Sequence, residues 1–229
     1  MSDGIEIRGG LRIAWEAGEL LGPEDCLTGR NAQGDETRAH LVPDCPESTR
    51  LSTLTSPTMA EIVKGILEPS QNWMTEQLVR TLGMELGEEG SWREGFRVEE
   101  EFFVQEVGID SLDIAYRDGS GMSTQDLVTP RSLVRILEYM RASPNAGIYR
   151  HALAGPGEEE GTLRSRLPGL EGRVFAKTGT LTHVASLSGY LFTDSGRELI
   201  FSILSNGSGL SSAVVRRGID AIVMAVARY

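Results

Sequence analysis

Lysine is almost missing from this chain of 229 residues: Lys64 and Lys177 stand alone, and arginine supplies the other 20 of 22 cations. A lysine kept where arginine is the default points to a task for a compact point charge or a tunable base. Cysteine is as scarce, with only Cys26 and Cys45, and the three histidines (His40, His151, His183) are scattered. One cysteine pair sets no disulfide framework, and no C-x-x-C or Cys/His cluster suggests zinc, so no metal site is expected. The pair is compatible with a bridge in an oxidising compartment and equally with two free thiols. No apolar run approaches the ~20 residues of a membrane span. The opening MSDGIEIRGG lacks the basic start and apolar core of an export signal. Positive charge is also short. The 33 acidic against 22 basic side chains leave −11, which excludes broad nucleic-acid binding and a polybasic membrane anchor.

The remainder is ordinary for a globular chain: 40% hydrophobic and 24% charged, long enough for one large or two small domains. Residues 1–55 are dominated by polar and turn residues after a short strand-like piece at Ile5 and Ile7, and read as a linker or the remnant of an inserted domain. At Ser56-Pro57 a cap followed by proline predicts a helix, with Met59, Ile62, Val63, Ile66 and Leu67 at helical spacing and a stop near Glu68-Pro69. A second helix is expected after Ser70, with Trp73, Met74, Leu78, Val79 and Leu82 apolar and Gly83 near its end. Residues 85–106, rich in carboxylates, read as a solvated surface with one amphipathic stretch. Leu112–Tyr116 is a short strand candidate. Thr129-Pro130 repeats the cap-plus-proline device, and 143–172 reads as an extended surface loop. Val174–Leu181, Val184–Phe192 and Leu199–Leu204 read as strands, the last two joined by a Thr-Asp-Ser-Gly turn. From Ser211, the residues Val215, Ile219, Ile222, Val223 and Val226 form the stripe of a terminal helix. Helices followed by an antiparallel sheet and a closing helix imply an α+β fold.

Two motifs carry chemistry. Ser70-Gln71-Asn72 lies at the junction of the first two helices, and Lys177-Thr178-Gly179, followed by Thr180, lies on a strand. Each alone is weak, since a lysine on an edge strand ordinarily guards against aggregation. In this order and on these elements they match two of the three motifs of active-site-serine penicillin-recognising enzymes. The stretches SPTMAEIVKGILEPSQNWMTEQLVRTLG (56–83), DGSGMSTQDLVTP (118–130), GTLRSRL (161–167) and AKTGTLTHVASLSGYLFTDSGREL (176–199) extend the match. Over most of 56–229 the chain resembles the C-terminal part of a D-alanyl-D-alanine carboxypeptidase/endopeptidase of the peptidase S13 family, the DacB-like low-molecular-mass penicillin-binding proteins.

The resemblance implies a transpeptidase-like fold of the penicillin-binding-protein/β-lactamase kind, an antiparallel sheet flanked by helices. It implies peptidoglycan stem peptides and β-lactams as ligands, a periplasmic or extracytoplasmic setting and hydrolysis through an acyl-enzyme with no metal and no organic cofactor. Lys177 would hold the terminal carboxylate of a D-Ala-D-Ala peptide with the Thr178 hydroxyl, since an acidic protein needs a local cation there. Gly179 would let the substrate pair with the strand, and the Thr180 amide would serve as an oxyanion donor. Asn72 would orient the penultimate amide, and Ser70 would relay a proton to the leaving D-alanine. The third motif, Ser-x-x-Lys, is missing: Glu61 and Val174 stand three positions before the two lysines. The expectation is therefore an N-terminally truncated fragment, inactive alone, with the missing N-terminal half as a partner. The alternative is a non-catalytic peptidoglycan-binding or scaffold protein. Asp118–Gly121 reads as a bracing turn, because Asp118 and Met122 occupy the glycine positions that a Ser120 nucleophile elbow would need. His151 and His183 read as ordinary polar residues and Lys64 as a solvated surface charge.

Overall fold

The first helix begins where a side chain can close its end. In the computed structural model, which describes residues 56–229, Thr58 and not Ser56 is the cap of α1 (Met59–Leu67). The Thr58 hydroxyl accepts the Glu61 amide, and the Glu61 carboxylate accepts the Thr58 amide at 2.8 Å. This reciprocal pair satisfies two orphan donors, whereas a cap at Ser56 would have left the first turn without its glutamate. Lys64 on this helix is largely exposed and pairs with Glu68 at 3.6 Å.

Helix α2 (Asn72–Leu86) runs three residues beyond Gly83. That glycine is not a terminator. A Cβ there would lie 2.8 Å from the Gly95 amide, so its absence lets α3 (Trp92–Glu101) approach closely. The acidic stretch is therefore a helix packed on α2, and Glu94 on it is buried, with Arg97 at 3.0 Å. A π-helical turn follows at Phe102–Glu106. The strand expected at Leu112–Tyr116 shrinks to β1 (Ile114–Ala115), paired with β2 (Leu127–Val128). Leu112 belongs to a preceding 3₁₀ turn and is 91% exposed.

Helix α4 (Pro130–Ala142) starts at the Thr129 cap, whose hydroxyl accepts the Ser132 amide. The stretch read as surface loop contains α5 (Ala146–Ala152) and then a segment that buries Leu153, Ala154, Leu163, Leu167 and Leu170. These leucines are spaced by turns and lack the period of any regular element, so no helical or strand pattern announces their burial.

The sheet has the order β3-β4-β5, with β3 at Val174–Leu181, β4 at Val184–Phe192 and β5 at Glu198–Asn206, all antiparallel. Alternation sorts its side chains into two layers. Val174, Ala176, Ala185, Leu187 and Leu191 face α6 (Ser212–Ala227), where Ile219, Val223 and Ala227 meet them together with Leu163, Leu167 and Leu170. Phe175, Tyr190 and Ile200 face the helices, against Leu67, Leu137, Tyr149 and Leu153. The Tyr190 hydroxyl donates to the Leu137 carbonyl at 2.7 Å, fixing α4 on the sheet. Ile222 and Val226, expected on the buried stripe of α6, are exposed among the described residues; the buried positions are Ile219, Val223 and Ala227. Among the described residues no helix is long and apolar enough to cross a membrane. Cys26, Cys45 and His40 lie outside the described residues.

Candidate active site

The chain reverses sharply where α1 gives way to α2. Pro69 cannot continue the helix, and Ser70 adopts φ +66°, the left-handed conformation that costs a non-glycine residue about 1–2 kcal/mol. The Gln71 amide closes the turn on the Ile66 carbonyl at 2.9 Å. The turn is thereby held in the geometry that carries the Ser70 hydroxyl to the sheet.

There it meets Lys177. The ammonium donates to the Ser70 Oγ at 2.7 Å and to the Thr178 carbonyl at 2.8 Å. Burial lowers the Lys177 pKa to about 8, and no other group among those described offsets it. A cation held without a carboxylate is costly, and the cost falls when an anion arrives.

Strand β3 presents an open edge beside this pair. Its Ala176 amide bonds outward, away from β4, to the Ala154 carbonyl at 2.9 Å. Backbone direction alternates along a strand, so the amides and carbonyls of Thr178 and Thr180 point outward as well, while those of Lys177 and Gly179 point to β4. From Thr178 onward no strand or bridge among the described residues pairs with that edge. At Gly179 a Cβ would stand 2.5 Å from the Ser186 hydroxyl on β4, so the strand packs where a side chain would not fit.

The other residues singled out in the sequence are placed as follows. Asn72 is the exposed first residue of α2, and its backbone carbonyl accepts the Thr75 hydroxyl at 2.7 Å. Thr180 is exposed on β3. Trp73 is 70% exposed, so it is not part of the core. His151 bonds through Nδ1 to the Gly147 carbonyl, and His183 sits at φ +61° in the β3–β4 turn. The Asp118–Gly121 run is a turn: one Asp118 oxygen accepts the amides of Ser120, Gly121 and Met122, and the other accepts that of Ser123. Burial works against ionised Asp118, but the amides of Gly121 and Ser123 outweigh it and lower its pKa. Among the described residues no group of three or more His, Cys, Asp or Glu could hold a metal.

Two residues that lie in the matched stretches, but to which the sequence motifs assign no role, join these parts. Glu76 on α2 accepts the amides of Gly119 at 3.1 Å and Ser120 at 3.0 Å and the Trp92 indole N–H at 2.9 Å. It ties the aspartate turn to the helix that begins with Asn72. Thr162, in the segment before β3, accepts the Thr178 hydroxyl at 2.9 Å and donates its amide to the Glu68 carbonyl at 3.2 Å.

The α+β layers that carry these residues are those of a penicillin-binding-protein/β-lactamase-like fold. Penicillin binding protein 4 (dacB) of Haemophilus influenzae superposes with a TM-score of 0.65 and 23% identity, over 74% of this chain and 40% of that one. The TLA-3 extended-spectrum beta-lactamase superposes with a TM-score of 0.56 and 18% identity, over 76% of this chain and 64% of that one. In sequence, a D-alanyl-D-alanine carboxypeptidase of Actinomadura sp. (strain R39) is 35% identical over 230 residues, 96% of this chain and 42% of the relative. The family model for the D-Ala-D-Ala carboxypeptidase 3 (S13) family matches residues 27–229. The chain belongs to this family. It spans less than half the length of that carboxypeptidase.

Proposed function

We propose that this chain supplies the carboxylate-binding wall and proton relay of a serine-type D-Ala-D-Ala carboxypeptidase or endopeptidase that works on peptidoglycan peptides outside the cytoplasmic membrane. The observation that carries the reading is the 2.7 Å contact of Lys177 with Ser70 beside the open edge of β3. A peptide ending in D-Ala-D-Ala lies along that edge as an added strand, using the outward carbonyl of Thr178 and the outward groups of Thr180. Its terminal carboxylate is held by the Lys177 ammonium and the Thr178 hydroxyl. Asn72 orients the penultimate amide from the start of α2. The Thr180 amide, directed outward, stabilises the developing oxyanion, a contribution of about 3 kcal/mol for one such donor.

Ser70 handles the proton. Its hydroxyl accepts from Lys177 and can pass its own proton to the nitrogen of the departing D-alanine, while Lys177 replaces it. A lysine whose pKa sits near 8 can give and regain that proton close to neutral pH. The acylated serine and its lysine base are not among these 229 residues, because neither lysine stands in a Ser-x-x-Lys motif. The chain alone therefore binds without turning over, and a polypeptide carrying that motif completes the site. The same missing motif supports a second reading, a peptidoglycan binder that never cleaves. Beta-lactam binding follows from the first reading, and one structure of the Haemophilus influenzae relative is a complex with a beta-lactam.

Release of D-alanine from a D-Ala-D-Ala peptide separates the readings. With the Ser-x-x-Lys segment present, the wild type is expected to release D-alanine and Lys177→Ala to lose roughly 100-fold or more of that rate, the order of magnitude for a lost charge contact. No release by the completed wild type, or full activity of Lys177→Ala, contradicts the proposal.

A further inference from the structure

Thr162 occupies a position that neither the Ser70 motif nor the Lys177 motif explains. It belongs to the segment between α5 and β3, yet its amide is fixed to the Glu68 carbonyl, two residues before Ser70, and its hydroxyl is 2.9 Å from that of Thr178. One exposed side chain therefore bridges the turn that carries the relay hydroxyl and the strand that carries the carboxylate anchor.

The hydrogen count gives this bridge a consequence. A threonine hydroxyl has one proton to donate and lone pairs that accept. In the structure the Thr178 proton is directed to Thr162, so it is not available to an incoming carboxylate. When an anion docks, Thr178 must turn its proton to it, and the bond between the two threonines survives only if Thr162 becomes the donor. If both hydroxyls rotate about their C–O bonds, the contact between the two oxygens can persist with its direction reversed. A hydroxyl that accepts one hydrogen bond donates a stronger one, since polarised chains reinforce each other.

We propose that Thr162 is a positioning residue for the carboxylate site: it holds the Thr178 hydroxyl in the unliganded protein and reverses to donate to it when a peptide carboxylate binds. The inference rests on the carboxylate reading of Lys177 and Thr178 and assigns the control of that site to a third segment. Its signature is selectivity for negative charge. Removing the Thr162 hydroxyl weakens an acid more than a neutral ligand of the same shape, because a carboxylate draws the Thr178 proton more strongly than an amide carbonyl does.

The test is direct binding to the 229-residue chain, measured by titration with N-acetyl-D-Ala-D-Ala and with its C-terminal amide. The wild type is expected to prefer the acid. Thr162→Val, similar in shape but without a hydroxyl, should lose roughly two- to fourfold of affinity for the acid, the reinforcement that one accepted hydrogen bond lends to the next, and distinctly less for the amide. Thr162→Ser should restore the preference. A Thr162→Val chain with undiminished preference for the acid overturns the role of Thr162 and leaves the carboxylate site standing. Equal loss for acid and amide, or no rescue by serine, also overturns it, since that is the mark of a merely structural contact. A wild type with no preference for the acid overturns both the inference and the anchor on which it rests.

Discussion

The Lys177 ammonium donates to the Ser70 hydroxyl across 2.7 Å, joining a strand to a helix turn 107 positions earlier in the chain. Burial disfavours the charged lysine and holds its pKa at about 8, so the site stores an unmet demand for an anion. On the proposed reading a peptide carboxylate would meet that demand, which would tie affinity to the protonation of one residue.

Carboxylate affinity should therefore follow the charge on Lys177. It is expected to be level below about pH 7 and to weaken above pH 8, approaching roughly tenfold per pH unit as the free site loses its proton. Titration of N-acetyl-D-Ala-D-Ala between pH 6 and 9.5 reads this directly. A flat profile to pH 9.5 would contradict it.

The same burial acts on stability with a defined sign. The folded lysine releases its proton near 8 and the unfolded one near its ordinary 10.5, so the unfolded state binds more protons between those values. Stability rises with pH across that window. Lys177→Met should accordingly raise the melting temperature at pH 7, and its advantage should shrink as pH approaches 10. An advantage that is constant from pH 7 to 10 would show that the lysine is not penalised by burial.

At Ser70 the backbone and the hydroxyl can be separated. Its φ of +66° suits glycine, so Ser70→Gly is expected to be more stable than Ser70→Ala by about 1 kcal/mol, the reverse of the order inside a helix. Both variants lack the hydroxyl that Lys177 contacts, and both should lose the relay equally in a completed enzyme. Chemical denaturation of the two variants checks the order. An alanine variant as stable as the glycine one would mean that the turn relaxes.

Glu99 on α3 offers a second pH test away from the site. Burial, assisted by the charge of Glu76, pushes its carboxyl up to about 7. The folded state then prefers the protonated form, so this residue's contribution is full below its unfolded value near 4.5 and is lost as pH rises through 7. Glu99→Gln should raise the melting temperature by roughly 2–4 °C at pH 8 and change it little at pH 4.5. The opposite pH dependence would contradict the assignment.

The sheet was legible in the sequence because its cues are local and periodic. β3 and β4 have the bounds that alternation suggests, and the turn from Phe192 to Glu198 follows its Gly196, at φ +80°. The α4 cap at Thr129 was equally plain. What was hidden depends on tertiary contact. Leu163, Leu167 and Leu170 are buried by a segment with no regular period, and α5 is too short to show an amphipathic stripe. Gly83 reads as a helix end in sequence, but its meaning is the approach of α3. Ser70 and Lys177 could be named from their motifs. Glu76 and Thr162 lie in matched stretches but could not be assigned a role, because a carboxylate on a helix and a hydroxyl in a loop are common, and only the amides and hydroxyls brought to them by the fold distinguish these two.

The most direct test of the account is covalent labelling by a fluorescent penicillin, carried out on the 229-residue chain alone and on a protein completed with a Ser-x-x-Lys segment. The account predicts no adduct on the chain alone, and on the completed protein an adduct at the serine of that added motif that Lys177→Ala strongly diminishes. An adduct on the isolated chain, or labelling of the completed protein that is indifferent to Lys177, would contradict it.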